Sequence, residues 1–172
     1  MPEYSFQLVT SSNPVLAYVA YERLKADGSL GFFEYGSPES NGIQFVRRHV
    51  SEASYFLAGF VDEAFAGFMT LRPWSSSSRC AYIGVAAFRR WYDQAVPLSQ
   101  NAFAYCYEHL NVSSMIAHVV RTNFHVMRLC RACGFARIGS APGMYYDAEH
   151  DRYESGHILL STPYLLRAAM EV

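Results

Sequence analysis

The chain has 172 residues, 51% of them hydrophobic and only 17% charged, with 14 Lys and Arg against 15 Asp and Glu for a formal net charge of -1. With 12 Phe, 13 Tyr and 2 Trp it is too apolar to be intrinsically disordered. A near-neutral balance without basic blocks argues against a nucleic-acid partner, whose affinity would come largely from neutralised phosphates.

The length suits one domain, residues 1–172, able to bury about two-thirds of its unfolded surface. No run approaches the roughly eighteen apolar residues that span a bilayer, and Met1-Pro2-Glu3-Tyr4 does not open a signal peptide. The expectation is a soluble cytoplasmic protein without a membrane partner. Its four cysteines then read as reduced thiols, and the Asn111-Val112-Ser113 sequon as unused. Low charge with abundant aromatics is consistent with a homo-oligomer in which part of the surface is covered.

Tyr4 to Thr10 alternates and predicts a strand. Asn13-Pro14 supplies an N-cap and an N1 proline to a helix carrying Leu16, Val19, Ala20 and Leu24 and running to about Lys25. Asp27 to Pro38 reads as loop, and Ile43, Val46, Val50 and Ala53 as the face of a second helix. Ser54 to Val61 and Ala64 to Leu71 form a hairpin turning at Asp62-Glu63. Arg79 to Phe88 is a further strand, Asp93 to Leu110 a helix, and Met115 to Val120 a strand.

The next helix runs from about Asn123 to Cys133, with Thr122 as N-cap, Gly134 as C-terminal cap and Val126, Leu129, Cys130 and Cys133 as its buried stripe. Ala136 to Ser140 and Glu154 to Leu160 are the last strands, around a long polar, Tyr-rich loop from Ala141 to Tyr153. That stretch, with Asp147, Glu149 and Asp151, reads either as a receiver for a cationic peptide terminus or as a solvent-exposed hairpin. Hairpins mixed with parallel crossovers predict an α/β sandwich on a mixed sheet.

The segment Asn123-Phe-His-Val126-Met-Arg-Leu129-Cys130-Arg-Ala-Cys-Gly134-Phe135 resembles the helix motif of the GNAT N-acetyltransferase superfamily. The hairpin Phe56 to Leu71 resembles that superfamily's central strand pair, and the element order agrees from Tyr4 to Pro163. Within the superfamily, His118-Val-Val-Arg-Thr-Asn123 and Met144-Tyr145-Tyr146-Asp147 look most like ribosomal-protein N-terminal acetyltransferases. The resemblance implies a mostly antiparallel mixed sheet of about seven strands, splayed between strands 4 and 5 and flanked by four helices. It also implies acetyl-CoA as cosubstrate, its pantetheine pairing like an extra strand with Ile83-Gly84-Val85 and its pyrophosphate on amides at the start of the next helix.

The segment matching that pyrophosphate loop is Arg90 to Leu98. Arg90, Ala95 and Leu98 fit the pattern, while Asp93 replaces its first glycine and Pro97 removes an N–H. A carboxylate about 6 Å from a pyrophosphate charge costs about 1 to 3 kcal/mol, and Asp93 is also a residue type that caps helix amides itself.

Acetyl transfer needs a deprotonated amine, a held oxyanion and a proton for the departing thiolate. The resemblance places the usual Glu base on His118 and the usual Tyr acid on Cys130, with Val85 N–H as oxyanion donor and Asn123 opening the motif. Each has a plainer reading. His118 can be a hydrogen-bonded core histidine, Cys130 a small core residue, Arg90 a solvated charge and Asn123 a fixed strand-to-helix turn. Cys130-Arg-Ala-Cys133 has half a zinc spacing without a second pair, and no metal is expected.

Two functions follow. One is an acetyl-CoA-dependent N-acetyltransferase acting on a small-molecule or peptide amine, including a protein amino terminus. The other is a GNAT-fold protein without that chemistry, serving as a binding or assembly module. A longer acyl group is a variant of the first.

Overall fold

The computed structural model describes residues 2–33, 41–75, 79–147 and 150–171. Seven strands form one sheet: β1 (Tyr4–Val9), β2 (Tyr55–Val61), β3 (Ala64–Pro73), β4 (Cys80–Ala87), β5 (Ser114–Val120), β6 (Ala136–Asp147) and β7 (Arg152–Ser161). Their order is β1-β2-β3-β4-β5-β7-β6, and β4–β5 is the parallel pair in an otherwise antiparallel sheet. The β2–β3 turn falls at the acidic pair, where Asp62 and Glu63 adopt φ 47° and 64°, the left-handed values of a tight hairpin turn.

Both sheet faces are covered, which is why β2 and β3 read as nearly continuous apolar runs. On one face Ala17, Ala20, Tyr21 and Leu24 of α1 (Val15–Ala26) and Phe45 of α3 (Gly42–His49) pack against Phe56, Ala58 and Phe68. A single turn, α2 (Leu30–Phe33), lies between them. On the other face Phe103 and Cys106 of α4 (Ala95–His109), Met127 and Cys130 of α5 (Phe124–Ala132) and Leu166 of α6 (Pro163–Met170) cover Leu57, Met69, Leu71, Met115, Ala117 and Leu159. Among the described residues, no helix is long and apolar enough to cross a membrane.

Several expected boundaries move. α1 begins at Val15 with Pro14 as its cap, because Asn13 N–H bonds back to Thr10 C=O at 3.0 Å. α3 stops at His49 rather than Ala53: Ser54 Oγ donates to the His49 carbonyl at 3.1 Å and Val50 turns extended. α5 is capped by Asn123, not Thr122; Asn123 Oδ1 accepts from Val126 N–H at 3.2 Å. The stretch 141–153 is largely the β6–β7 hairpin, with a register shift between Ala141 and Tyr145 absorbed where Gly143 has φ 62°. Glu149 lies outside the described residues.

Among the described residues the sandwich has five helices of eight residues or more rather than the expected four. The added one, α6, is signalled by Thr162-Pro163: the Thr162 hydroxyl accepts from Leu165 N–H at 3.3 Å and Pro163 opens the helix.

Candidate active site

The parallel pair β4–β5 opens part-way along. Pairing runs from Cys80–Ser114 to Ile83–Ala117 and stops, while β4 stays paired to β3 as far as Ala87 and β5 to β7 as far as Val120. Trp74 N–H donates to Cys80 C=O and Phe88 N–H to Ala66 C=O, each at 2.9 Å. The even-numbered residues of β4 therefore use their main chain on β3, and the odd-numbered ones, Val85 among them, face β5. Arg121 N–H donates to Ser155 C=O at 2.9 Å, so by the same alternation His118 and Val120 turn towards β4. Past Ile83 these groups face one another across an open seam in mid-sheet.

A cavity of about 540 Å³ occupies the seam. It brings together Ile83, Gly84 and Val85 of β4, His118 of β5, and Asn123 and Cys130 around α5. Arg90 and Ala95 do not line it. Tyr145 of the Met144-to-Asp147 motif also borders it, together with Phe33, Arg48, His49, Arg72 and Tyr82, which the sequence did not mark as site residues. A side chain at Gly84 would meet Thr70 Oγ1 at 3.0 Å and the Phe33 ring at 3.3 Å, so glycine keeps this wall of the cleft thin.

His118 is half-buried and its side chain makes no hydrogen bond among the described residues; its ring packs beside that of Tyr82 with centroids 5.0 Å apart. Burial lowers its pKa from 6.5, which keeps the imidazole neutral at neutral pH with basic nitrogen in the cleft. This is not the environment of a hydrogen-bonded core histidine. Cys130 is buried, and desolvation pushes its thiol up to about 12. Such a thiol stays protonated, and giving its proton away costs about 4 kcal/mol more than it costs an ordinary thiol. Tyr145 is likewise raised to about 12 by burial.

The segment after β4 differs from an open anion loop. Arg89–Gln94 is a 3-10 turn that runs into α4, and no residue between Phe88 and Leu98 has positive φ. Three of its amides are engaged: Arg89 N–H donates to Asp27 Oδ2 at 3.0 Å, Trp91 N–H to Phe88 C=O at 2.7 Å, and Ala95 N–H to Tyr92 C=O. Asp93 does not cap them; its carboxylate accepts from Gln94 Nε2 at 3.0 Å. Arg90 lies over the Trp91 ring and borders a separate hollow with Val61, Asp62, Asp93 and Gln94.

Among the described residues, Asp147, Asp151 and Glu154 of the β6–β7 hairpin are engaged within it. Tyr146 O–H donates to Asp151 at 2.6 Å, His150 Nδ1 lies 2.8 Å from Asp147 Oδ2, and Arg152 pairs with Glu154 at 2.7 Å. The charged side chains that border the seam cavity, Arg48 and Arg72, are basic, and among the described residues no Asp or Glu lines it.

No family model matches the sequence, and no curated protein matches it. Solved structures do match in fold. The ribosomal-protein-S5-alanine acetyltransferase of Vibrio fischeri superimposes with TM-score 0.70 at 12% identity, over 94% of this chain and 96% of that one. The spermidine N-acetyltransferase of Vibrio cholerae, in complex with CoA and spermine, gives 0.74 at 14% identity, over 95% and 98%. An acetyltransferase of the GNAT family from Streptococcus pneumoniae gives 0.64 at 14% identity, over 93% and 99%. This chain carries the fold of the GNAT acetyltransferases.

Proposed function

We propose that the chain moves an acetyl group from a pantetheine thioester, acetyl-CoA being the reference donor, to a primary amine by direct attack within a ternary complex. The observation that carries the reading is the opened β4–β5 seam, with an unpartnered neutral histidine on one lip and the inward-facing main chain of Val85 on the other. The amine nitrogen attacks the thioester carbonyl carbon and the carbonyl oxygen becomes an oxyanion directed at Val85 N–H. His118 takes the amine proton. When the carbon–sulfur bond breaks, the imidazolium returns that proton to the thiolate, so the products are an amide and a thiol. Cys130 lends the departing sulfur a hydrogen bond without ionising.

Incubating the protein with acetyl-CoA and a panel of amines, with mass spectrometry of both products, tests the reading. Equimolar acetamide and free thiol are expected, and no product with any amine would sink it. Replacing Cys130 with alanine should lower kcat by less than about tenfold, because a thiol held this far from ionisation is a weak proton donor.

The basic border of the cleft supports an acceptor whose amine sits beside an anionic group, such as a carboxylate, rather than a polycation. Arg72 forms no ion pair among the described residues. Its replacement by alanine is expected to raise KM for a carboxylate-bearing amine by about three- to tenfold, the range of one screened charge contact, with kcat little changed. Equal KM values for wild type and variant would exclude Arg72 from acceptor binding.

The second reading, an assembly module without acyl transfer, draws on the engaged amides after β4. It predicts no thermal stabilisation by any pantetheine ligand.

A further inference from the structure

We infer that the chain recognises its donor through the acyl-pantetheine arm alone, and that a thioester lacking the nucleoside diphosphate is taken as readily as acetyl-CoA. The inference rests on the transferase reading for the donor's chemistry and concerns which part of the donor is held.

The two halves of the donor meet different surroundings. The arm has the seam, where Val85 offers an unpaired strand edge and the cavity continues between His118 and Cys130. An extended arm of amide groups completes such an edge as an added strand does.

The diphosphate would have only the segment from Arg89 to Leu98. Backbone cradles for anions need several free N–H groups converging, commonly through alternating right- and left-handed residues. Here every φ is negative. The Arg89 amide already holds an anion, the chain's own Asp27 carboxylate, at 3.0 Å. Trp91 and Ala95 donate within the turn, and Pro97 has no N–H.

Charge points the same way. Asp93 is exposed beside the start of α4, and its carboxylate accepts from the Gln94 side-chain amide rather than pairing with a cation. Arg90, the cation of this segment that matches the superfamily pattern, borders the hollow it shares with Asp62 and Asp93 instead of the seam. A diphosphate here would therefore meet the exposed Asp93 carboxylate on a segment whose Arg89, Trp91 and Ala95 amides are engaged and whose Pro97 offers none.

Equilibrium binding of CoA and of pantetheine to the full chain, measured side by side by titration calorimetry, tests this without relying on turnover. The dissociation constants should agree within about tenfold, 1.4 kcal/mol. CoA binding tighter by more than that overturns the inference, as does failure of both ligands to bind at millimolar concentration. The paired variant Asp27→Asn with Asp93→Gly should tighten CoA by about fivefold or more while leaving pantetheine unchanged. If it changes neither constant, or tightens both alike, the argument from occupied amides is wrong. Binding of both ligands without acetyl transfer from either thioester would retain the inference and remove the proposed activity.

Discussion

Replacing His118 with glutamine is expected to lower kcat/KM for amine acetylation by about 100- to 10,000-fold, the usual contribution of a positioned base. Glutamine keeps the size and polarity of the side chain and removes the titrating nitrogen. Binding of pantetheine should hold within about threefold, because the seam is formed by main chain rather than by the ring. With an acceptor amine that is already neutral at low pH, the wild-type rate should fall on an acidic limb below 6.5, since desolvation lowers the His118 pKa. The variant should lack that limb. A histidine whose pKa is lower folded than unfolded leaves the unfolded chain binding more protons in the window between the two values. Its contribution to stability is therefore intact above about 6.5 and is lost as pH falls through the folded pKa. The variant should accordingly lose less stability than wild type on acidification. An unchanged acidic limb in the variant would assign the base to another group.

The parts of this fold that were legible are those where local chemistry and tertiary packing agree. Asp62-Glu63 between two apolar runs can only turn, and the structure gives both residues left-handed φ. The stripe from Val126 to Cys133, closed by Gly134, specifies α5 because it is the same surface that packs on Ala117 and Leu159. The grouping of Ile83 to Val85 with His118, Asn123 and Cys130 was accessible only through the family resemblance, since nothing in spacing alone says that β4 and β5 part after Ile83.

What remained hidden depends on contacts distant in the chain. Arg89 to Gln94 winds into a 3-10 turn because Asp27, at the end of α1, holds the Arg89 amide, and Tyr4 O–H reaches Gln94 Oε1 at 2.8 Å. Neither partner is near in sequence, so Arg90 reads from its motif as a phosphate ligand although it borders another hollow. Tyr145 and the acidic turn looked like loop because Gly143 and the register shift interrupt a strand whose partner, β7, supplies the pairing. Arg72 and Tyr82 carry no local mark at all; they matter because β3 and β4 are adjacent on the rim of the seam.

Gly134→Ala should be the more damaging of two glycine substitutions that look alike on backbone grounds. Gly28 and Gly134 both follow helices with left-handed φ, 68° and 75°. A Cβ at Gly28 would meet nothing within 4 Å, so alanine there costs only the left-handed penalty, about 1 to 2 kcal/mol. At Gly134 the Cβ would overlap the Leu165 carbonyl oxygen and approach Leu166 N at 2.8 Å, both main-chain atoms of α6 that cannot rotate away. α6 then has to shift, withdrawing Leu166, only 2% exposed, from the layer it shares with Phe103 and Met127. Overpacking added to backbone strain sums to about 3 to 5 kcal/mol, and in a chain of this length each kcal/mol lowers Tm by about 2 to 4 °C. Thermal unfolding should therefore fall by about 6 to 20 °C for Gly134→Ala and by clearly less for Gly28→Ala; equal shifts would show that α6 yields without cost. Because α5 and its cap Asn123 bring Val126 and Cys130 to the cleft and Gly134 directly follows its C-cap Cys133, a displaced α6 also loosens one wall of the seam. Pantetheine affinity should consequently drop in the Gly134 variant at temperatures where it is still folded, and stay at the wild-type value in the Gly28 variant.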